Sequence, residues 1–128
     1  MNEEQTVFVL DDEPAVVRAL SRLLRAAGYR TEPFGSARDF MEHYNPGVPG
    51  CLLMDLSMPG ITGLDVQQWL VTNGRPLPII FLTGQDIPEK VREMMQGAVD
   101  VLTKPVSGSA LLKSIEEAFA RDREARKA

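Results

Sequence analysis

Five polar side chains in this sequence come at or just after the end of a short apolar run. They are Asp11, Asp12, Asp55, Thr83 and Lys104. An isolated aspartate after a strand is more often a helix cap or a loop residue, so it is the whole set that carries the signal. Carboxylates, an ammonium group and a hydroxyl gathered in one place could transfer a phosphoryl group, because positioning and charge stabilisation dominate that chemistry. Asp55 would be the nucleophile, and the reaction would pass through an aspartyl phosphate.

The three aspartates also predict a bound cation. Two carboxylates about 4 Å apart repel each other by about 4 kcal/mol at an effective dielectric constant of ~20. Lys104 supplies one positive charge, which leaves a cluster of Asp11, Asp12 and Asp55 net negative. A divalent ion held through oxygen ligands would balance the charge. Mg2+ is the expected metal, and Mn2+ could substitute for it.

The side chain at the centre of this set is Asp55, which ends the apolar run of residues 51–54. Met58, Pro59 and Gly60 interrupt the backbone shortly afterwards. A continuous apolar run bounded by turn residues indicates a strand buried on both faces. Asp55 is therefore expected at the carboxyl end of a central parallel strand, where open α/β sheets bind their ligands.

Five predicted strands alternate with five predicted helices, joined by short connections. The strands cover residues 6–10, 29–34, 51–55, 78–82 and 99–102, and the helices begin near Pro14, Ser36, Leu64, Pro88 and Ser109. Such alternation predicts a single doubly wound α/β domain with a five-stranded parallel sheet and helices on both faces. The strand that contains Pro33 and the short last strand are expected at the edges, which fits the strand order 2-1-3-4-5.

Composition and charge argue against several classes of function for these 128 residues. The formal net charge is −4, which disfavours a basic nucleic-acid-binding face on this segment. The single cysteine, Cys51, excludes an internal disulfide, and with His43 as the lone histidine a Cys/His zinc site is excluded as well. No apolar run approaches the ~20 residues of a membrane span, and the N-terminus is unlike a signal peptide. A cytoplasmic protein without membrane contact is therefore expected.

Taken together, the motifs resemble the response-regulator receiver domain of two-component signal transduction, the CheY-like family. The resemblance lies in Asp11-Asp12, in Asp55 followed by Met58-Pro59-Gly60, in Thr83-Gly84, in Lys104-Pro105 and in residues 97–100 before the last strand. It covers nearly the whole chain. It implies a flavodoxin-like (βα)5 receiver domain over residues 1–121, acting as a signalling switch rather than as a turnover enzyme.

The resemblance implies a role for each acidic residue. Asp55 would accept a phosphoryl group from a phosphohistidine on a sensor histidine kinase or a phosphotransfer protein. Asp12, Asp55 and the backbone carbonyl of Ser57 would bind Mg2+ directly, while Asp11 would act largely through water.

Signal output is expected to start at Lys104 and Thr83. By resemblance, Lys104 would pair with the phosphoryl group and Thr83 would turn towards it as the switch. Receivers commonly carry an aromatic residue three positions before this lysine, and here that position is Val101. Valine has no ring to swing, so signal is expected to pass through the loop after Thr83 and the surface of the fourth helix, fifth strand and fifth helix. Met94 and Met95 belong either to the core or to a homodimer interface on that surface.

The end of the chain, residues 122–128, is charged and helix-prone. It is either a solvated helical end or the start of a linker to an output domain outside this sequence. The ending is similar to linkers that precede helix-turn-helix output domains in the family, so control of transcription is one expected output.

Two other functions agree with parts of the pattern. A receiver-like protein-interaction module that no longer cycles phosphate would account for Val101 but not for the complete acidic set. A phosphatase or phosphotransferase for small molecules would usually carry a second acid two residues after its nucleophile, where this sequence has Ser57. No glycine-rich phosphate loop follows the first strand, which argues against a nucleotide- or flavin-binding fold.

Overall fold

The computed structural model describes residues 5–58, 60–74, 77–84 and 87–127, and within them five strands alternate with five helices. The strands are β1 (Thr6–Leu10), β2 (Arg30–Phe34), β3 (Gly50–Asp55), β4 (Ile79–Thr83) and β5 (Asp100–Thr103). The helices are α1 (Pro14–Ala26), α2 (Ala37–His43), α3 (Gly63–Thr72), α4 (Glu89–Met94) and α5 (Gly108–Lys127). Parts of the segments named above lie outside the described residues: residues 1–4, Pro59, residues 85–86 of the loop after Thr83, and Ala128.

All four strand pairs are parallel, and the sheet order is β2-β1-β3-β4-β5. The predicted fold and strand order are therefore confirmed. Every residue of β1, β3 and β4 is buried, as expected for strands covered on both faces. β2 lies at an edge, where Pro33 stands opposite Val9 without needing to donate to a further strand.

Alternate side chains of the central strands supply two separate apolar layers. Phe8, Leu52 and Phe81 point to the layer that α2 and α3 cover, with Phe40 at its centre. The layer under α1 and α5 is built from the following buried side chains: Val7, Val9, Cys51, Leu53, Ile80, Leu82, Leu20, Leu24, Leu111, Ile115, Ala118 and Phe119. Because β3 is packed on both sides, Asp55 is held at the end of a rigid strand.

The fourth helix is short and weakly buried. α4 has six residues, none of which is buried. Met95, just after it, is 3% exposed and belongs to the core, whereas Met94 is 59% exposed. Val101 on β5 packs against the same core layer as Met95. The core assignment therefore holds for Met95 and not for Met94, which is free to contribute to a surface.

The fifth helix runs without a break from Gly108 to Lys127, so the expected boundary between Arg121 and Asp122 falls inside one helix. Asp122 is 2% exposed and lies against the domain. None of the helices in the described ranges combines the length and apolarity needed to cross a lipid bilayer.

Candidate functional site

The polar residues that the sequence placed at strand ends all lie along one edge of the sheet. Asp55 is the last residue of β3, and Thr83 is the last residue of β4. Asp11 follows β1 directly, and its backbone N–H donates to the Phe34 carbonyl at 3.3 Å. Lys104 follows β5, and its N–H donates to the Thr83 carbonyl at 2.7 Å. The backbone itself therefore fixes where these side chains begin.

The Lys104 ammonium group joins two of the aspartates. Its Nζ lies 3.2 Å from Asp11 Oδ2 and 3.3 Å from Asp55 Oδ2, within hydrogen-bond distance of both. Glu13 Oε1 lies 3.7 Å from the same nitrogen. The side chains of Asp11 and Asp55 are 1% and 8% exposed, so both ion pairs are shielded from solvent on the acidic side.

Backbone N–H groups hold the other oxygen of each aspartate. Asp11 Oδ1 accepts from the Glu13 N–H at 3.0 Å, and Asp55 Oδ1 accepts from the Ser57 N–H at 3.2 Å. Each contact spans two residues, as in the turns that aspartate side chains commonly stabilise. The two carboxylates are thereby oriented before any ligand arrives.

The loop after β3 is fixed by the start of α3. The Thr62 side chain caps this helix and accepts from the Asp65 N–H at 3.3 Å, while Asp65 Oδ2 accepts from the Thr62 N–H at 2.9 Å. The Gly63 N–H donates to the Leu56 carbonyl at 3.0 Å. A Cβ on Gly63 would lie 3.1 Å from the Asp55 carbonyl oxygen, so glycine lets the helix approach the end of β3 closely.

The three aspartates can offer oxygen ligands to one cation. One carboxylate oxygen from each of Asp11, Asp12 and Asp55 can be chosen so that all lie within 4.8 Å of one another. Asp11 and Asp55 are buried and Asp12 is exposed, which gives the cluster one open side. Hard oxygen donors of this kind fit Mg2+ or Mn2+, and the open side leaves room for water ligands.

Burial and charge shift the pKa values of two groups. Burial raises the pKa of Asp55 and the Asp11 charge adds to the rise, although the Ser57 N–H and Lys104 act against it. Burial lowers the pKa of Lys104, but its hydrogen bonds and ion pairs with Asp11 and Asp55 outweigh burial and leave the pKa above its ordinary value. Ionised Asp55 is therefore under-stabilised by the protein alone, which a bound cation would correct.

A family model described as "Response regulator receiver domain" matches residues 7–116 of the chain. The chain belongs to this family. Receiver domains are parts of signalling proteins; they interact with histidine kinases and bind Mg2+ at an acidic cluster of the kind described here.

Individual relatives of this receiver domain agree with the family. Nodulation protein W of Bradyrhizobium diazoefficiens is 43% identical over 123 residues, covering 95% of this chain and 54% of the relative. The response regulator protein TodT of Pseudomonas putida is 44% identical over 114 residues, covering 88% of this chain and 50% of the relative. The receiver domain thus spans about half the length of these curated relatives.

Solved structures show the same fold. The response regulator StyR superposes with a TM-score of 0.90 at 42% identity, covering 97% of this chain and 63% of that one. The structure titled FixJ-N superposes with a TM-score of 0.83 at 32% identity, covering 93% of this chain and 96% of that one.

The structure also adds a residue to the receiver site that the sequence interpretation missed. Glu13 reaches Lys104, and the only sequence signal for it was its position directly after Asp11 and Asp12. Thr83 is 7% exposed at the end of β4, and Ser57 is exposed in the loop after β3. The roles assigned to Thr83 and to the Ser57 carbonyl stay predictions.

Replacing Asp12 by asparagine should separate metal binding from stability. We expect Mg2+ affinity, measured by calorimetry, to fall by about tenfold or more, since even partners of metal ligands are worth ~10–100-fold. The metal-free variant should melt at a higher temperature, because one of three mutually repelling charges is gone. Asp39→Asn, which removes an exposed aspartate on α2, is the control. A metal-free Asp12→Asn protein that is less stable than the unmodified one would contradict the repulsion.

Proposed function

We propose that this receiver domain is a phosphorylation-dependent switch in which Asp55 accepts a phosphoryl group from a phosphohistidine on a sensor histidine kinase or a phosphotransfer protein. The observation that carries the proposal is the contact of one ammonium group, Lys104 Nζ, with both Asp11 and Asp55 beside an acidic cluster. A phosphoryl group on Asp55 would have the Lys104 ammonium group within reach of its oxygens. The protein changes its own covalent state in this scheme and does not turn over a substrate.

Asp12, Asp55 and the Ser57 carbonyl are the proposed Mg2+ ligands, with Asp11 acting through water. When bound, Mg2+, or Mn2+ in its place, supplies positive charge to the phosphoryl oxygens. An oxygen of Asp55 forms the new P–O bond while the P–N bond of the phosphohistidine breaks and its electron pair returns to the imidazole. Lys104 Nζ, which lies 3.3 Å from Asp55 Oδ2, would stabilise the growing negative charge.

Phosphorylation would change the charge at Asp55 from −1 to roughly −1.5 to −2 and add acceptor oxygens. Thr83 is the residue proposed to turn towards the phosphoryl group first. A cleft of about 440 Å3 adjoins Thr83 and is lined by Ser57, Ile87 and Val91 among others, which offers space for a change in this region. Val101 has no ring that could change its rotamer, so another element must carry the signal. We propose α4 for this role, because none of its residues is buried. The surface of α4, β5 and α5 would then form a partner or homodimer interface.

In a longer protein, we propose that this switch controls an output domain and through it transcription. The support is that longer relatives include the transcriptional regulatory protein FixJ of Azorhizobium caulinodans, which is 34% identical over 125 residues that cover 97% of this chain and 59% of the relative. Direct nucleic-acid binding is not proposed for residues 1–128, whose formal net charge is −4. The proposed location is the cytoplasm, where histidine kinases present their phosphohistidine.

The test is phosphorylation by acetyl phosphate with Mg2+, followed by intact-protein mass spectrometry. The unmodified chain should gain one phosphoryl group, whereas Asp55→Asn should gain none and Asp39→Asn should behave as unmodified. Chelation of Mg2+ should abolish the adduct. If no adduct forms on the unmodified chain with acetyl phosphate or a phosphorylated kinase domain, the protein is instead a receiver-like interaction module, the alternative that Val101 favours.

A further inference from the structure

A second polar network lies at the opposite end of β3 from Asp55. Asp122 on α5 is 2% exposed, and its Oδ2 accepts from the Gly50 N–H at 3.0 Å. The same oxygen accepts from Arg126 Nε at 2.9 Å. The first residue of β3 is thus joined to the last turns of α5 by a buried carboxylate.

Arg126 extends this network to the loop that leads into β3. Its Nη2 donates to the Val48 carbonyl at 2.8 Å and to the Pro46 carbonyl at 3.3 Å. One guanidinium group therefore satisfies a carboxylate and two loop carbonyls at once, which its planar fork of donors allows and a lysine could not reproduce.

The network differs from the other ion pairs on α5. Glu117 and Arg121 are also four residues apart, but they lie 3.9 Å apart with side chains 56% and 48% exposed. Exposed pairs of this kind contribute little to stability. The Asp122 side chain is 3% exposed, so removing its partner would leave a buried charge uncompensated. Residues 45–50 and 122–126 should therefore be ordered together.

We propose that Asp122 and Arg126 clamp the last turns of α5 to the start of β3, and so fix the direction in which the chain leaves the receiver domain. The two residues lie beyond the family match, which ends at residue 116, so the clamp is not part of the matched receiver pattern. It places the end of the folded unit near Arg126 instead of at residue 121. A segment that follows would be carried on a rigid helix rather than on a flexible tether.

Amide hydrogen exchange on the full chain tests the clamp directly. In Arg126→Ala, amides of residues 120–127 and of Gly50 should lose protection by tenfold or more, since local opening frees them. Asp122→Asn should do the same at Gly50. Arg121→Ala, the matched control on the same helix, should change protection by less than twofold. Equal protection in Arg126→Ala and Arg121→Ala would overturn the clamp.

Arg126→Lys keeps the proposal testable if a larger change unfolds the domain. Its ammonium group can pair with Asp122 but cannot hold both loop carbonyls as well, so protection should fall to an intermediate value. Phosphorylation of Asp55 by acetyl phosphate should stay within twofold of the unmodified rate in every clamp variant that folds, because the clamp lies at the other end of β3. Failure of phosphorylation in the unmodified chain would leave the exchange result standing by itself.

The motion of a spin label at the end of α5 is a second measurement that tests the clamp. Cys51 is fully buried, and burial raises the pKa of its thiol, so a label should react with an introduced Arg123→Cys and not with Cys51. The label should show the restricted motion of an ordered helix in the otherwise unmodified chain and the fast motion of a frayed end when Arg126→Ala is added. Fast motion in both proteins would show that the helix end is not held.

Discussion

Replacing Lys104 by alanine should lower the free energy of unfolding of the metal-free protein by about 3 kcal/mol, the typical cost of removing one partner from a buried ion pair. Asp11 and Asp55 are buried, and Lys104 Nζ lies within 3.3 Å of both. Without the ammonium group their repulsion is uncompensated. Urea unfolding with a chelator present measures the loss.

Mg2+ should restore most of the stability of Lys104→Ala. A cation that binds only the folded state stabilises it by about 2.7 kcal/mol at a concentration 100 times its Kd. The gain should be larger in the variant than in the unmodified protein, because the carboxylates then have no other cation. Lys113→Ala, which removes an exposed lysine on α5, is the control and should change neither value. If Lys104→Ala and Lys113→Ala have the same free energy of unfolding without metal, the ion pairs of Lys104 with Asp11 and Asp55 do not stabilise the fold.

The same variant tests the proposed role of Lys104 in signalling. With Mg2+ present the variant should fold and still take up a phosphoryl group on Asp55, but the output should no longer follow phosphorylation. A variant that is both folded and fully responsive would remove Lys104 from the proposed switch.

The sheet could be predicted from sequence because its signals are local. Residues 51–54 are continuously apolar, and Pro33 is tolerated only where no further strand must be bonded. Parallel strands then bring their carboxyl ends to one edge whatever the detailed packing, so the closeness of Asp11, Asp55 and Lys104 followed from topology alone. No strand begins or ends more than one residue from its predicted position, which is within the usual uncertainty of strand ends.

The features that sequence could not supply depend on contacts between distant segments. Asp122 and Arg126 have the spacing of an ordinary surface pair, and only the structure shows that the carboxylate is buried and accepts from the Gly50 N–H. Met94 and Met95 are adjacent residues of the same type, yet Met94 at the end of α4 is exposed and Met95 directly after it is buried. Glu13 follows β1 and Lys104 follows β5, so no local sequence pattern could mark their contact.

Replacing Gly50 by alanine should be the most disruptive of the glycine-to-alanine changes in the described part of the chain. Thr6 and Gly50 stand opposite each other in the pairing of β1 and β3. A Cβ on Gly50 would overlap the Thr6 carbonyl oxygen and would lie 3.3 Å from the Phe8 ring. The first of these neighbours is backbone in a strand that has a partner on both sides, so it cannot move aside without shifting the sheet.

Overpacking of this kind costs about 3 kcal/mol at the upper end of its usual range. The displaced Gly50 N–H would also pull away from Asp122, which adds the loss of a hydrogen bond to a charged group. We expect the Tm of Gly50→Ala to fall by on the order of 10 °C, measured by circular dichroism. Gly35→Ala is the control, because no atom lies within 4 Å of its added Cβ. A Gly50→Ala protein as stable as Gly35→Ala would mean that the close approach of β1 and β3 at this position is not maintained in solution, and the clamp on α5 would lose its anchor.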